Sequence, residues 1–179
     1  MLARSVGFSR AIQLRADMFR GDRPSCPRAC PGRVHRHGGY RRYAHPTGQA
    51  TLRIQRFWCP HCQLTISVLP ADRLPYRPLA AGRLEAFFNE QAEVGSGPDP
   101  PPAVLEAGCL RRAWARFQTR VDVLKEAFGL LIARSTDSAA ALWKQMRLAK
   151  ATLAGILRYL AQAHKRSLLG DYQCLRLPA

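Results

Sequence analysis

Two close cysteine pairs, Cys26-Pro-Arg-Ala-Cys30 and Cys59-Pro-His-Cys62, decide the fold that we expect for the first half of this chain. Zinc is bound in proteins by four tetrahedral ligands, and a turn that carries two thiolates can supply half of them. The 28 residues between the pairs are enough for a hairpin of two strands, which would bring the two turns together. We therefore predict a structural Zn²⁺ site whose ligands are Cys26, Cys30, Cys59 and Cys62.

The first pair is spaced one residue more widely than the second, because Ala29 stands where the second thiol of such a turn usually falls. Three interpretations stay open at this point. The turn is one residue longer and holds Cys30, or His35 or His37 replaces Cys30 as a ligand, or the site has lost its metal.

The chain is strongly basic, with 28 Lys plus Arg against 12 Asp plus Glu and a net charge of +16. No acidic residue occurs from residue 23 to residue 71, a stretch that holds eight arginines. Because the arginine side chain presents a planar fork of donors that fits phosphate and guanine edges, nucleic acid is the expected partner, DNA in preference to RNA. The candidate contacts are Arg33, Arg36, His37, Tyr40, Arg41, Arg42, Arg53 and Arg56.

Aromatic residues are interleaved with these arginines. Tyr40, Tyr43, Phe57 and Trp58 could stack on exposed bases, which would favour single strands or RNA. For Phe57 and Trp58 we prefer a place in the small core of the ribbon.

The alternation of side chains predicts three strands around the cysteines, over residues 33–43, 49–58 and 63–69. The second half of the chain is helical in pattern. We therefore expect an α+β fold, a small three-stranded zinc ribbon followed by a mainly α-helical C-terminal region. The predicted parts are a flexible basic N-terminal arm (1–22), the zinc ribbon (23–78), a helix (79–94), a Gly/Pro linker (95–102) and a helical domain (103–179).

Two apolar stripes define the expected helical domain. One runs from Leu110 to Leu131 at spacings of three and four, and the next runs from Ala139 to Ser167, where Gly155 makes a break possible. Such helices favour an antiparallel pair, and a homo-oligomer could form through them. An arginine stripe lies off the first apolar face and is a second candidate for DNA contact, although such a stripe is usually a solvated face: Arg111, Arg112, Arg116 and Arg120.

One segment resembles a known family. The motifs are Cys26-Pro-Arg, Val34-His-Arg-His-Gly-Gly-Tyr-Arg-Arg and Arg53-Ile-Gln-Arg-Phe-Trp-Cys-Pro-His-Cys, followed by Leu74-Pro-Tyr-Arg. Together they are similar to the N-terminal zinc ribbon of insertion-sequence transposases and of their stand-alone bacterial relatives. The resemblance covers residues 24–88, about a third of the chain. It implies that the four cysteines bind zinc, that residues 35–42 face DNA, and that a helix-turn-helix segment follows.

Catalytic signals are missing from the sequence. A transposase needs a trio of carboxylates to hold two metal ions, whereas the acids here are few and scattered. A Gly-rich phosphate loop is also absent. We therefore expect a non-enzymatic accessory protein or remnant of a mobile element that binds DNA. The alternatives are an RNA-binding zinc ribbon and a zinc-stabilised module for protein–protein contact.

Localisation follows from hydropathy and from the first residues. No apolar run approaches the roughly 20 residues that cross a bilayer, so we expect no membrane partner. The expected location is the bacterial cytoplasm, in association with the nucleoid. Four arginines and one acid within residues 1–20 also resemble a mitochondrial leader, which we rate as the minor alternative.

Overall fold

The computed structural model describes residues 10–18, 21–94, 104–130, 138–164 and 166–170. Over these residues the fold is α+β, as predicted: a mixed four-stranded sheet precedes five α-helices. The predicted linker (95–102) lies outside the described residues, as do residues 1–9, 19 and 20 of the predicted arm.

The sheet is built from strands β1 (Arg10–Arg15), β2 (His35–Tyr43), β3 (Thr51–Cys59) and β4 (Leu64–Leu69). Their spatial order is β1-β4-β3-β2, so that β2 and β1 form the two edges. Strands β2, β3 and β4 are joined as an antiparallel meander, and β1 pairs in parallel with β4. A bulge between Arg36 and Gly39 interrupts the pairing of β2 with β3.

The prediction of a three-stranded ribbon was wrong, because β1 adds a fourth strand. We had assigned its residues to a flexible arm. In the structure Ile12 lies opposite Ile66, and Leu14 lies opposite Val68. The physical reason is that Ile66 of β4 is fully buried, and a three-stranded sheet would leave it at an open edge. Pairing with β1 covers that edge with the apolar side chains of Ile12 and Leu14.

The two faces of the sheet have different surroundings. One face carries Phe57, Cys59, Leu64 and Ile66, and we call it the cysteine face. The opposite face carries Gln13, Tyr40 and Arg42 and is covered by residues 70–80.

Hydrogen bonds fix that covering segment to the sheet. The Tyr76 backbone amide donates to Oε1 of Gln13 over 2.8 Å. The Arg42 guanidinium donates to the carbonyl oxygens of Leu74 and Arg77. The cysteine face is consequently the side of the β2–β3 hairpin on which the described chain leaves charged side chains exposed.

The helices are α1 (Ala81–Val94), α2 (Val104–Gln118), α3 (Val121–Ala127), α4 (Ala139–Lys150) and α5 (Leu153–Ala163). The predicted helix over residues 79–94 corresponds to α1. Among the described residues, no helix combines the length and the apolar character needed to traverse a bilayer.

An aromatic cluster forms the centre of the helical core. Phe88 of α1 meets Trp114 edge-on at 4.8 Å between ring centroids, and it meets Trp143 in the same way at 5.1 Å. Phe117 packs against all three rings. The indole of Trp143 donates to Oδ1 of Asn89 over 2.8 Å, so its one polar atom is satisfied within the core.

The apolar stripe predicted over residues 110–131 is divided between two helices, α2 and α3. The break falls at Thr119 and Arg120, where the Thr119 hydroxyl donates to the carbonyl of Arg116 over 2.9 Å. Such a bond competes with the regular helical pattern. The Arg120 guanidinium also donates to the carbonyl of Ser167, which ties the break to the end of the described chain.

The second long stripe is divided as well, at Ala151 and Thr152. Ala151 has a φ of 56°, which ends α4. The Thr152 hydroxyl accepts from the backbone amide of Gly155 over 3.1 Å and so caps α5. A Cβ at Gly155 would lie 2.6 Å from the carbonyl oxygen of Lys150, so the chain needs glycine where it turns.

One carboxylate joins the sheet to the helices. Glu106 of α2 is buried and accepts from the Arg83 guanidinium of α1 over 3.3 and 3.4 Å. His45, in the turn between β2 and β3, brings Nε2 to 3.6 Å from the same carboxylate. The tip of the hairpin is therefore anchored to the helical core.

Candidate functional site

The four paired cysteines form one cluster. Their Sγ atoms all lie within 4.8 Å of one another, with 3.7 Å between Cys26 and Cys62 and 3.4 Å between Cys30 and Cys59. Four sulfurs bonded tetrahedrally at about 2.3 Å from one metal ion stand about 3.8 Å apart. The observed spacing therefore fits one tetrahedral metal ion. Over the described chain, this is the one group of three or more Cys, His, Asp or Glu side chains close enough to share an ion.

The second pair is positioned by the β3–β4 connection. Cys59 is the last residue of β3 and is fully buried, whereas Cys62 lies in the tight turn that leads to β4. Gln63 follows with a φ of 49°, a left-handed conformation that reverses the chain directly after the second thiol. The short antiparallel connection thus presents both sulfurs on one side of the sheet.

The first pair lies in the loop that precedes β2, and its wider spacing is absorbed by one residue. Ala29 has a φ of 49°, and its amide donates to the carbonyl of Cys26 over 2.9 Å. This turn brings Cys30 to the cluster. Neither His35 nor His37 belongs to it. Of the interpretations left open by the sequence, the structure matches the longer turn.

The thiols of the cluster shift one another's pKa values. Burial raises the pKa of the Cys26 thiol to about 12. Burial also acts against ionisation of Cys30, but hydrogen bonds from the other three thiols outweigh it and lower the pKa of Cys30 to about 7. The hydrogen bond to Cys30, together with burial, raises the pKa of Cys62. The Cys30 thiol thus ionises more readily than the thiols of Cys26 and Cys62, and a bound cation would favour the thiolate form of the cluster.

Backbone donors support the negative charge. The amide of Arg28 donates to the sulfur of Cys26, and the amide of Gly32 donates to the sulfur of Cys30. Hydrogen bonds to an ionised group favour its charged form. The loop before β2 therefore contributes backbone donors as well as two thiols to the cluster.

Gly32 is a site residue that the sequence analysis missed. A Cβ built on it would lie 2.6 Å from Cβ of His61 and 3.3 Å from the sulfurs of Cys30 and Cys59. The loop before β2 and the β3–β4 turn can approach this closely only because Gly32 has no side chain. The signal in the sequence was a glycine two residues after the second thiol of the first pair.

A small apolar core supports the cluster. Buried Val34, Phe57, Leu64 and Ile66 surround the sulfurs, and partly buried Ile12 and Leu14 of β1 pack against them. The core has few members, so a bound metal would supply a large share of its folding free energy. Strand β1 thus contributes to the apolar core that supports the cysteine cluster.

Beyond Phe57, the cysteine face of the hairpin becomes basic. Arg41 of β2 lies directly opposite Arg53 of β3, and both side chains are exposed. Like charges at directly opposite positions of a sheet destabilise it. In the described part of the chain, neither guanidinium has an acidic partner within ion-pair distance. We call Arg36, Arg41, Tyr43 and Arg53 the basic hairpin face.

The other predicted contacts are placed in different ways. Arg33 and His37 are exposed, and the His37 ring centroid lies 6.0 Å from that of Trp58. Arg56 is half-buried on the opposite face of the sheet, where it pairs with Ser67. His37 and Arg56 thus lie away from Arg41 and Arg53, whereas Arg33 belongs to the loop that carries the first cysteine pair.

Tyr40 and Arg42 are directed toward the protein. The Tyr40 hydroxyl accepts from Nε2 of Gln13 over 3.5 Å, and Arg42 donates to Oε1 of the same Gln13 over 3.1 Å. Burial and, secondarily, the charge of Arg73 lower the pKa of Arg42. Arg42 holds the segment that covers this face of the sheet, and Tyr40 contacts it through Gln13, which accepts from the Tyr76 amide.

The aromatic residues divide similarly. Phe57 is 3% exposed beside the thiols, Trp58 is half-buried, and Tyr43 is 60% exposed. Phe57 thus has the core position that we expected. Tyr43, which we named as a possible stacking residue but not among the eight candidate contacts, is the aromatic side chain that accompanies Arg41 and Arg53.

The chain was also compared with known proteins. No protein-family model matches it, and neither the search of curated proteins nor the search of solved structures gave a match. The resemblance to transposase zinc ribbons consequently stays a prediction that rests on the motifs quoted above.

Proposed function

We propose that this protein is a non-enzymatic, transposase-related zinc-ribbon protein that binds DNA through its basic hairpin face. The observation that carries the proposal is the pair Arg41 and Arg53. These two like charges face each other without an acidic partner among the described residues, on the same side of the sheet as the thiol cluster.

Zinc is the metal that the cluster fits best. Four thiolates in a tetrahedral arrangement are typical of zinc or iron sites, and a mononuclear site with all positions filled is typical of structural zinc. The ion would be held by Cys26, Cys30, Cys59 and Cys62, leaving no position for a reactive water. Its role would be to join the loop before β2 to the β3–β4 turn and so to fix the hairpin.

The binding mechanism is electrostatic. A phosphate placed between Arg41 and Arg53 would relieve the repulsion between the two guanidinium groups and accept hydrogen bonds from both. Each neutralised phosphate releases counterions, so that the logarithm of the binding constant falls by about 0.9 per contact for each decade of salt. Arg36, exposed on the same strand, extends the contact toward the thiols.

Two triple variants test this proposal by fluorescence anisotropy across a salt series. The triple variant Arg36→Gln/Arg41→Gln/Arg53→Gln removes three charges from the basic hairpin face. The control Arg111→Gln/Arg112→Gln/Arg116→Gln removes the same number from α2, the alternative DNA-binding surface. We expect the hairpin variant to lose most of its affinity for DNA. The slope of the logarithm of its binding constant against the logarithm of the salt concentration should become shallower by about 2.7, which corresponds to three lost phosphate contacts. The control should resemble the wild type.

Two results would oppose the proposal. Equal losses in both triple variants would mean that only the net charge of the chain matters. A larger loss of DNA affinity in the α2 variant would mean that the DNA-binding site lies on that helix. Duplex DNA and RNA of the same sequence, measured in parallel, test the expected preference for DNA.

A further inference from the structure

Tyr43 is an unusual residue for an otherwise polar strand end. Its side chain is 60% exposed, although a tyrosine ring gains free energy when its apolar surface is covered. Within the described chain, its ring makes no aromatic contact and its hydroxyl makes no hydrogen bond. An exposed aromatic without a partner in its own protein is a candidate contact for a ligand.

The ring is nevertheless held in place on one side. Gly48, in the turn between β2 and β3, has a φ of 74°, and a Cβ built on it would lie 3.6 Å from Cε1 of Tyr43. The ring therefore rests against the backbone of this turn. The Gly48 amide donates to the carbonyl of His45, which itself faces Glu106 of the helical core. One side of the Tyr43 ring is consequently packed against the turn, and the rest of the ring is open to solvent.

The neighbours of the ring on the same face are cationic. Residues two apart on a strand share a face, so Tyr43 and Arg41 point to the same side. Arg53, directly opposite Arg41, is the diagonal neighbour of Tyr43 across the hairpin. A flat π-surface thus stands next to two guanidinium groups that can hold phosphates.

We propose that Tyr43 stacks on an unpaired base while Arg41 and Arg53 hold the phosphates that flank it, so that the basic hairpin face binds single-stranded nucleic acid. The inference rests on the proposed function and names the form of its ligand. In a duplex the bases are paired and stacked on one another, and the ring has no base face to contact. The combination of a basic groove and a stacking ring is the chemistry that selects single strands.

The test compares a single-stranded DNA oligonucleotide with a duplex of the same sequence. The variants are Tyr43→Leu, which removes the ring but keeps an apolar side chain, and Tyr43→Phe, which keeps the ring. Tyr76→Leu is the matched control, because Tyr76 is 44% exposed and lies in the segment that covers the opposite face. Circular dichroism establishes that each variant is folded.

We expect Tyr43→Leu to weaken single-strand binding about 5- to 100-fold, the usual value of one base–aromatic stack, and to leave duplex binding unchanged. Tyr43→Phe and Tyr76→Leu should bind both ligands like the wild type. A 2-aminopurine base in the single strand should lose fluorescence on binding to the wild type and keep it with Tyr43→Leu. A parallel RNA oligonucleotide distinguishes single-stranded DNA from RNA as the source of the base.

The possible failures are distinguishable. If wild-type protein binds single strand and duplex equally, and Tyr43→Leu changes neither, the stacking inference is overturned while the proposed function stands. Both the proposed function and the inference are overturned if the wild type binds no nucleic acid. They are also overturned if its affinity is unchanged when Arg41 and Arg53 are replaced.

Discussion

Replacement of Gly32 by alanine probes the junction of the two cysteine turns. A Cβ at this position would approach Cβ of His61 to 2.6 Å and the sulfurs of Cys30 and Cys59 to 3.3 Å. The first contact is shorter than real Cβ atoms tolerate and involves a Cβ that is fixed by its own backbone. The sulfurs cannot retreat either, because bonds to a common metal ion would fix their positions.

The destabilisation caused by Gly32→Ala can be estimated from the packing around the new Cβ. Insertion of a methyl group into a closely packed site costs about 1–3 kcal/mol. We expect the upper half of this range because two of the three neighbouring atoms are sulfurs of the proposed metal ligands Cys30 and Cys59. Since unfolding would release the ion, the same strain should appear as a metal affinity weakened by about one to two orders of magnitude. The matched control is Gly82→Ala in α1, where a new Cβ meets nothing within 4 Å. That change should be neutral or stabilise by up to about 1 kcal/mol.

The assay is competition for Zn²⁺ against a chromophoric chelator, followed by urea denaturation with and without zinc. A second variant, Gly32→Ala/His61→Gly, removes the shortest contact and should recover part of the lost affinity. Wild-type zinc affinity and stability in Gly32→Ala would refute the reasoning, because the two turns would then not meet as the structure has them.

Three further predictions follow from other contacts. Arg53→Glu places an acid opposite Arg41, so it should stabilise the fold by about 0.2–1 kcal/mol in urea denaturation. The same variant should weaken DNA binding at least about tenfold by anisotropy, and unchanged binding would exclude Arg53 from the interface. Glu106→Gln leaves Arg83 and His45 without a carboxylate partner. It should lower the free energy of unfolding by about 1–2 kcal/mol in urea denaturation, a value reduced by the partial exposure of Arg83. Stability equal to that of the wild type would mean that this contact does not join the sheet to the helices. Phe88→Ala empties the centre of the buried aromatic cluster, and should lower the free energy of unfolding by about 3–5 kcal/mol, measured by calorimetry. A loss below about 1 kcal/mol would mean that the helices pack differently.

Much of the local structure could be predicted from the sequence, because its signals were local. The strands around the cysteines follow from alternation, and observed β2 and β3 begin two residues later than predicted. Helix α1 follows from its apolar stripe and the prolines before it. The clustering of the four cysteines follows from their spacing and the hairpin between them.

The remainder depends on long-range contacts. Strand β1 alternates apolar and polar residues at Ile12 and Leu14, but its partner β4 lies more than 50 residues away in the chain, and arginines at both ends resembled a solvated arm. The orientation of Arg42 and Tyr40 toward Gln13 depends on the same strand. A pattern of charge along β2 could not tell which arginine would be exposed, because that depends on what covers each face.

The breaks in the two long apolar stripes show the same limit. Both stripes continue through their breaks, so periodicity predicted continuous helices over residues 110–131 and 139–167. The structure ends α2 at Gln118 and α4 at Lys150. The side-chain hydrogen bond of Thr119 and the left-handed conformation of Ala151 compete with helix continuation at these two points. Only Gly155 gave a local sign of the second break.

The central claim is that one Zn²⁺ bound by four cysteines holds the surface that binds nucleic acid. The most direct measurement is the Kd for a DNA oligonucleotide at fixed salt, taken on the same sample as isolated, after removal of metal by a chelator, and after stepwise return of Zn²⁺. The account predicts that chelation abolishes binding and that one equivalent of zinc per chain restores it, because the described residues contain one four-cysteine cluster. A Kd that is unchanged by chelation would contradict it.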